Sequence, residues 1–267
     1  MVLQVIDRAI STPFYAGALF VGMLLFMELG RRIGARRLQR DPDRATKGLG
    51  TVEAALFGFF ALLVAFTFSA AASRFEVRRA QIVDEANAIS TAYERLDLLT
   101  PEAQPALREL FRAYLESRLT TYRRLPDIEA ALREVDRSSR LYDEIWTRAV
   151  AAIEAPGSHR SAVPLVPPAL NEMSDLVIER TAAGGAHTPT IILWLLFVFG
   201  LICGALAGHG MAAAHPPPWG HMLAFALGTA ITAFVILDLE YPRTGRINLE
   251  GYDQVLVDLL ETMKSRP

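Results

Sequence analysis

Charge is unevenly spread along the chain. Residues 54–73, 188–208 and 216–237 carry no Asp, Glu, Lys or Arg, and residues 12–30 carry one, Glu28. A helix needs about 20 apolar residues to cross the hydrocarbon core of a bilayer. The pattern therefore predicts four membrane helices: Thr12–Gly30, Thr51–Ser73, Thr188–Gly208 and Pro218–Leu237. The second holds nine Leu, Ile, Phe or Val between Ala54 and Ser73. At roughly −0.3 to −0.6 kcal/mol each they contribute about −3 to −5 kcal/mol towards insertion. The third holds eleven and is the strongest. The first is expected to be an uncleaved anchor. Arg8 is the only basic residue before it, no A-x-A cleavage site precedes the charges, and Arg31-Arg32 close it directly.

The polar stretch between the second and third segments has helical periodicity. Phe75, Ile82, Ala86, Ile89, Tyr93 and Leu96 are spaced 7, 4, 3, 4 and 3, a heptad-like seam. No breaker lies between Ser73 and Leu99, so the second membrane helix should continue into this insert. Thr100-Pro101-Glu102 predicts a new helix start, and Pro126 a third helix ended by Pro156-Gly157. A loop with Pro164, Pro167 and Pro168 should precede a shorter fourth helix, and Gly184-Gly185 reads as a hinge. The expected fold is an all-α integral membrane protein. Two pairs of transmembrane helices flank a helical extramembrane insert. Residues 1–73 form the first pair with a basic loop at 31–50, 74–187 the insert, 188–240 the second pair and 241–267 a short C-terminal tail.

Composition agrees with segregation. Of the 267 residues 52% are hydrophobic and mean hydropathy is +0.25, yet 21% are charged. That excludes a soluble enzyme, a secreted disulfide scaffold and a disordered chain. The net charge of −2 offers no basic face for nucleic acid. The single cysteine, Cys203, permits no intrachain disulfide. Arg31, Arg32, Arg36, Arg37, Arg40, Arg44 and Lys47 crowd the first connection, and such a short basic loop should stay cytoplasmic. The insert is then extracytoplasmic. Arg8, Arg74, Arg78, Arg79, Arg180, Arg243 and Arg246 are the competing count for the opposite orientation.

Candidate chemistry is sparse. Small residues recur at every fourth position: Gly200, Gly204 and Gly208; Ala61, Ala65, Ser69 and Ser73; Ala224, Gly228 and Thr232. Such rows let helix backbones approach closely, within one chain or between subunits. A second row, Leu56, Phe60, Val64 and Phe68, sits about 100° away on the same helix. It is either lipid-facing or an apolar constriction that gates by dewetting. Glu28, Glu53 and Asp238 lie near helix ends, where Thr51 could cap the helix beside Glu53. Asp84, Glu85 and Asn87 form a polar cluster that is either a solvated helix face or an ion or subunit contact. His209, His215 and His221 recur every six residues, which is not a helical metal spacing. Nucleotide-binding, nucleophile-elbow and zinc-protease motifs are absent. No catalytic residue, cofactor or metal is expected, and no enzymatic activity.

Three strings resemble a known family: LGTVEAALFGFFALLVAFTFSAAASRFEVRR, DEANAISTAYERLDLL (Asp84–Leu99) and LDLEYPRTGRINL. Together they resemble the bestrophin-like domain family of bacterial and plant membrane proteins, over about Leu49–Leu249. The name links that family to bestrophins, which are pentameric anion channels. The resemblance implies an oligomeric channel or pore with a small inorganic ion, an anion, as cargo. It implies an apolar neck on the second membrane helix, with Phe60, Val64 and Phe68 as candidates. Arg74, Arg78 and Arg79 are candidate charges at its mouth. Bestrophins keep their insert cytoplasmic, and carry an acidic calcium clasp after the last membrane helix. The tail here has no dense acidic run. The other class of function is a non-conducting, membrane-anchored sensor or scaffold whose insert binds a partner. In either case the partners are the lipid bilayer, most simply a bacterial inner membrane, and a second copy of the chain.

Overall fold

The structure is a computed structural model. It describes residues 2–40, 49–124, 127–214, 216–243 and 245–265, with side chains for all of these except 2–11 and 49. Arg44, Lys47, Pro126 and His215 lie outside the described residues. Among the described residues there are α-helices and short 3-10 turns and no strand. The helices are α1 (Val2–Arg40), α2 (Leu49–Glu94), α3 (Gln104–Arg123), α4 (Ile128–Ile153), α5 (Ala162–Gly185), α6 (Thr190–Gly210), α7 (Trp219–Glu240) and α8 (Gln254–Ser265). α1, α2, α6 and α7 contain stretches long and apolar enough to cross a membrane. The four expected spans are all present, and α2 continues unbroken from the second into the insert. Its 46 residues correspond to about 69 Å of helix, twice the hydrocarbon thickness.

The chain forms two compact units. One comprises Asp7–Ser73 and His187–Tyr241 and holds the apolar parts of α1, α2, α6 and α7. Leu19, Met23 and Met27 of α1 are fully buried there, as are Cys203, Met222 and Ala226. α1 and α6 meet through glycine. A Cβ on Gly204 would lie 3.2 Å from the Met23 carbonyl oxygen, and one on Gly208 would overlap the Met27 carbonyl. Reciprocally, a Cβ on Gly30 of α1 would overlap the Ala205 carbonyl. At Gly30 and Gly208 only glycine allows backbones this close.

The other unit comprises Met1–Ile6, Arg74–Ala186 and Pro242–Pro267. Its core is the predicted seam, with Ile82 and Ile89 of α2 and Leu96 of the 3-10 turn Arg95–Leu98 fully buried. Leu107, Phe111 and Leu115 of α3, Ile145 of α4, and Leu170 and Met173 of α5 are buried with it. Tyr93 and Phe111 pack edge to face at 5.9 Å. Asp127 caps α4, its carboxylate accepting from the Ala130 N–H at 3.0 Å. Gly157, at φ +104°, makes the turn after α4.

Several boundaries differ from expectation. The basic connection is helical as far as Arg40, because nothing between Arg31 and Arg40 breaks α1. α2 begins at Leu49, so Thr51 lies inside its first turn rather than capping it. Thr100–Ala103 is a turn, closed by Ala103 N–H donating to the Thr100 carbonyl at 3.0 Å, and α3 starts at Gln104. Pro164, Pro167 and Pro168 lie inside α5, which is 24 residues long, not short. Pro164 falls in the first turn, where N–H groups have no helical partner. Pro167 and Pro168 each remove one helix hydrogen bond, which the burial of Val166, Ala169, Leu170 and Met173 offsets. The tail carries η-turn Glu250–Asp253 and then α8. Leu256, Leu260 and Met263 of α8 are buried at helical spacing, and the Met263 carbonyl accepts from the Tyr93 hydroxyl at 3.2 Å.

Candidate functional site

The apolar half of α2 is mostly uncovered. In its most apolar window 17% of residues are buried, against 44% in α7. Phe60 is buried, its ring beside Gly200. Val64 is half-buried, and Phe68 is exposed. Ala61, Ala65 and Ser69 are all exposed. Phe60, Ala61, Val64, Ala65 and Phe68 line a groove of about 770 Å³ with Ala224, Gly228 and Thr232 of α7. Thr229 and Thr232 donate their hydroxyls to carbonyls four residues back, at 2.9 Å each. Their polar groups are thereby satisfied, and the groove offers an apolar surface to methylene groups or another helix. The small rows thus part company. Gly200, Gly204 and Gly208 face α1, while Ala61 and Ala65 line the groove.

The three arginines just beyond the apolar stretch differ in surroundings. Arg74 is half-buried. Arg78 is buried and donates to the carbonyls of Ala183 and Ala186 at 3.0 and 2.6 Å, closing the C-terminal end of α5. Arg79 is exposed, pairs with Glu76 at 3.0 Å and lies over the Tyr252 ring.

Asp84, Glu85 and Asn87 do not act together. Glu85 is fully buried, and its carboxylate accepts from Arg118 Nε at 2.7 Å and from Arg180 Nη1. The Arg180 guanidinium lies 4.3 Å from the Tyr122 ring centre and that of Arg243 4.4 Å from it. Arg243 is held in turn by both oxygens of Asp253. A buried carboxylate with two arginines ties α2, α3 and α5 together, and Tyr122 extends the stack to the segment after α7. Burial pushes the Tyr114 and Tyr142 hydroxyls above the ordinary phenol range. Asp84 and Asn87 are exposed and line a separate polar pocket of about 660 Å³ with Thr91, Arg95, Glu172 and Glu179. Among the described residues no three His, Cys, Asp or Glu are placed to hold a metal ion.

Carboxylates at the ends of the apolar helices have local roles. Glu28 accepts from Arg31 and Arg32 at 2.8 and 2.7 Å, and Glu53 lies 3.8 Å from His209. Glu240, to which sequence reasoning assigned no role, is buried at the end of α7. It accepts from the Thr188 amide at 3.1 Å and the Thr188 hydroxyl at 2.7 Å. The His187 ring stacks on Tyr241 at 4.9 Å and lies 3.6 Å from Glu240. The string LDLEYP, with two carboxylates ending an apolar run, was the available signal. Arg180 and Tyr122 had none.

The fold matches solved structures of low sequence identity. A crystal structure of a bacterial bestrophin homologue from Klebsiella pneumoniae, a single-substitution variant, superimposes with a TM-score of 0.68 at 17% identity, covering 92% of this chain and 99% of that one. Another crystal structure of the Klebsiella pneumoniae homologue gives 0.66 at 18% identity, with the same coverage of 92% and 99%. No curated protein matches the chain significantly. The bestrophin-like domain profile matches residues 17–251, most of the chain, with its four apolar helices and the insert between them: this membrane protein belongs to the bestrophin-like family.

Proposed function

We propose that the protein is an oligomeric membrane channel that conducts a small anion, with the apolar half of α2 lining the path in a bacterial cell membrane. The observation that carries this reading is the uncovered state of α2. A long apolar helix of a single chain leaves Ala61, Ala65, Phe66 and Phe68 exposed, and these faces need lipid or further copies of the chain. Small-residue rows suit contact with another helix, and an apolar face suits a constriction that gates by dewetting. The bacterial bestrophin homologues of the same fold support the channel class. Val64 and Phe68 are the better neck candidates, because Phe60 is already packed within its own chain.

Purified protein in liposomes should dissipate an imposed chloride gradient. Phe68→Ala, which shortens an exposed side chain, should raise the rate if it lines the constriction. No flux from a correctly folded oligomer would overturn the reading and leave the non-conducting anchor whose insert binds a partner. Flux that Phe68→Ala and Val64→Ala leave unchanged would retain the channel and refute this neck.

A further inference from the structure

The C-terminal part of α1 changes character along one exposed face. Leu25, Leu29 and Ile33 are exposed by 64%, 51% and 42%. Arg36, Arg37 and Arg40 follow at the same three- and four-residue spacing and are exposed too. Glu28 is shared by Arg31 and Arg32. Arg36, Arg37 and Arg40 form no ion pair with any described residue. The partial negative charge of a helix C-terminus favours a cation or two in the last turn, but three guanidinium groups on one face with no ion pair among the described residues exceed that need.

Position along the helix identifies the partner. At 1.5 Å per residue, Arg36 lies about 5 Å and Arg40 about 10 Å beyond Ile33, the last apolar residue of the face. The headgroup layer on each side of a bilayer is roughly 5–8 Å thick. Long arginine side chains bend back towards that layer while their stems cover apolar surface. A guanidinium presents paired donors that match two phosphate oxygens. We propose that Arg36, Arg37 and Arg40 bind the phosphate groups of anionic phospholipids, whose acyl chains lie along Leu25, Leu29 and Ile33. This goes beyond conduction and rests only on α1 spanning the membrane.

The test uses the full chain in detergent, with phosphatidylglycerol as the probe and phosphatidylcholine and inorganic phosphate as controls. Lipid retention is counted by native mass spectrometry, and the thermal midpoint is followed in parallel. Phosphatidylglycerol should be retained and raise the midpoint, and the two controls should do neither. The triple change Arg36→Gln, Arg37→Gln, Arg40→Gln should weaken retention by on the order of 100-fold, about fivefold for each arginine. The matched triple Arg133→Gln, Arg137→Gln, Arg140→Gln on α4 should retain the lipid as wild type does. If the α1 triple variant does not fold, Arg37→Gln alone must weaken retention about fivefold. Equal retention of phosphatidylcholine, an equal effect of inorganic phosphate, undiminished retention by the α1 variants, or the same loss in the α4 variant would overturn the proposal.

Discussion

A methyl group placed at successive glycines of α6 should cost progressively more, in an order set by what each meets. On Gly200 it would lie 3.1 Å from Leu19 Cδ1, the far end of a side chain that can turn away. On Gly204 it would lie 3.2 Å from the Met23 carbonyl oxygen and 3.5 Å from Met23 Cα, which belong to backbone. On Gly208 it would overlap the Met27 carbonyl, so α1 and α6 would have to separate. Overpacking of this kind costs about 1–3 kcal/mol. The intrinsic helix preference for alanine over glycine returns up to about 1 kcal/mol. Gly228→Ala is the control, since nothing lies within 4 Å of that position. Each kcal/mol moves a thermal midpoint by about 2–4 °C in a chain of this size class. Gly228→Ala and Gly200→Ala should therefore melt near wild type. Gly204→Ala should melt slightly lower, and Gly208→Ala lower by several degrees. Gly204→Leu should insert into the membrane normally, since leucine favours it, yet lose native stability or assembly. Fluorescence-detected size exclusion of heated detergent samples gives both amount and midpoint. A flat series, or a Gly208→Ala protein as stable as Gly228→Ala, would refute the α1–α6 backbone contact.

Glu85→Gln leaves Arg118 and Arg180 buried around a neutral partner and should destabilise the insert by about 3–5 kcal/mol; an unchanged melting midpoint would show that the buried pair adds nothing. Leu256→Ala, at a fully buried position of α8, should cost about 2–5 kcal/mol, and a midpoint equal to wild type would mean that α8 is not docked. Orientation has its own test: with Cys203 replaced by serine, Ser139→Cys on the exposed face of α4 should react with an impermeant maleimide on intact cells. Labelling only after lysis would reverse the charge-based orientation and bring the insert to the cytoplasmic side, where bestrophins keep theirs.

The four membrane helices and the continuation of α2 were legible in the sequence because both are local properties. Twenty apolar residues cannot stay in water, and a helix goes on until a breaker stops it. The insert's α2 seam, Ile82, Ala86, Ile89 and Tyr93, was legible for the same reason, since burial recurs with the helical period. α8 is less legible although Leu256, Leu260 and Met263 carry that period; the stretch is only 12 residues long, and such a short helix needs a surface to dock on. The prolines of α5 misled because their local penalty is outweighed by the burial of residues around them. Tertiary structure alone decided what each charge does. Asp84 and Glu85 are neighbours in sequence, yet successive positions on a helix point about 100° apart, so one faces solvent and the other is fully buried. The partners that make this burial tolerable, Arg118 and Arg180, are 33 and 95 residues away. Which of the small rows is occupied within the chain was equally out of reach. Gly204 and Ala65 carry the same signal in sequence, and only the approach of α1 fills the surface beside the glycine while the alanine is left exposed in the groove.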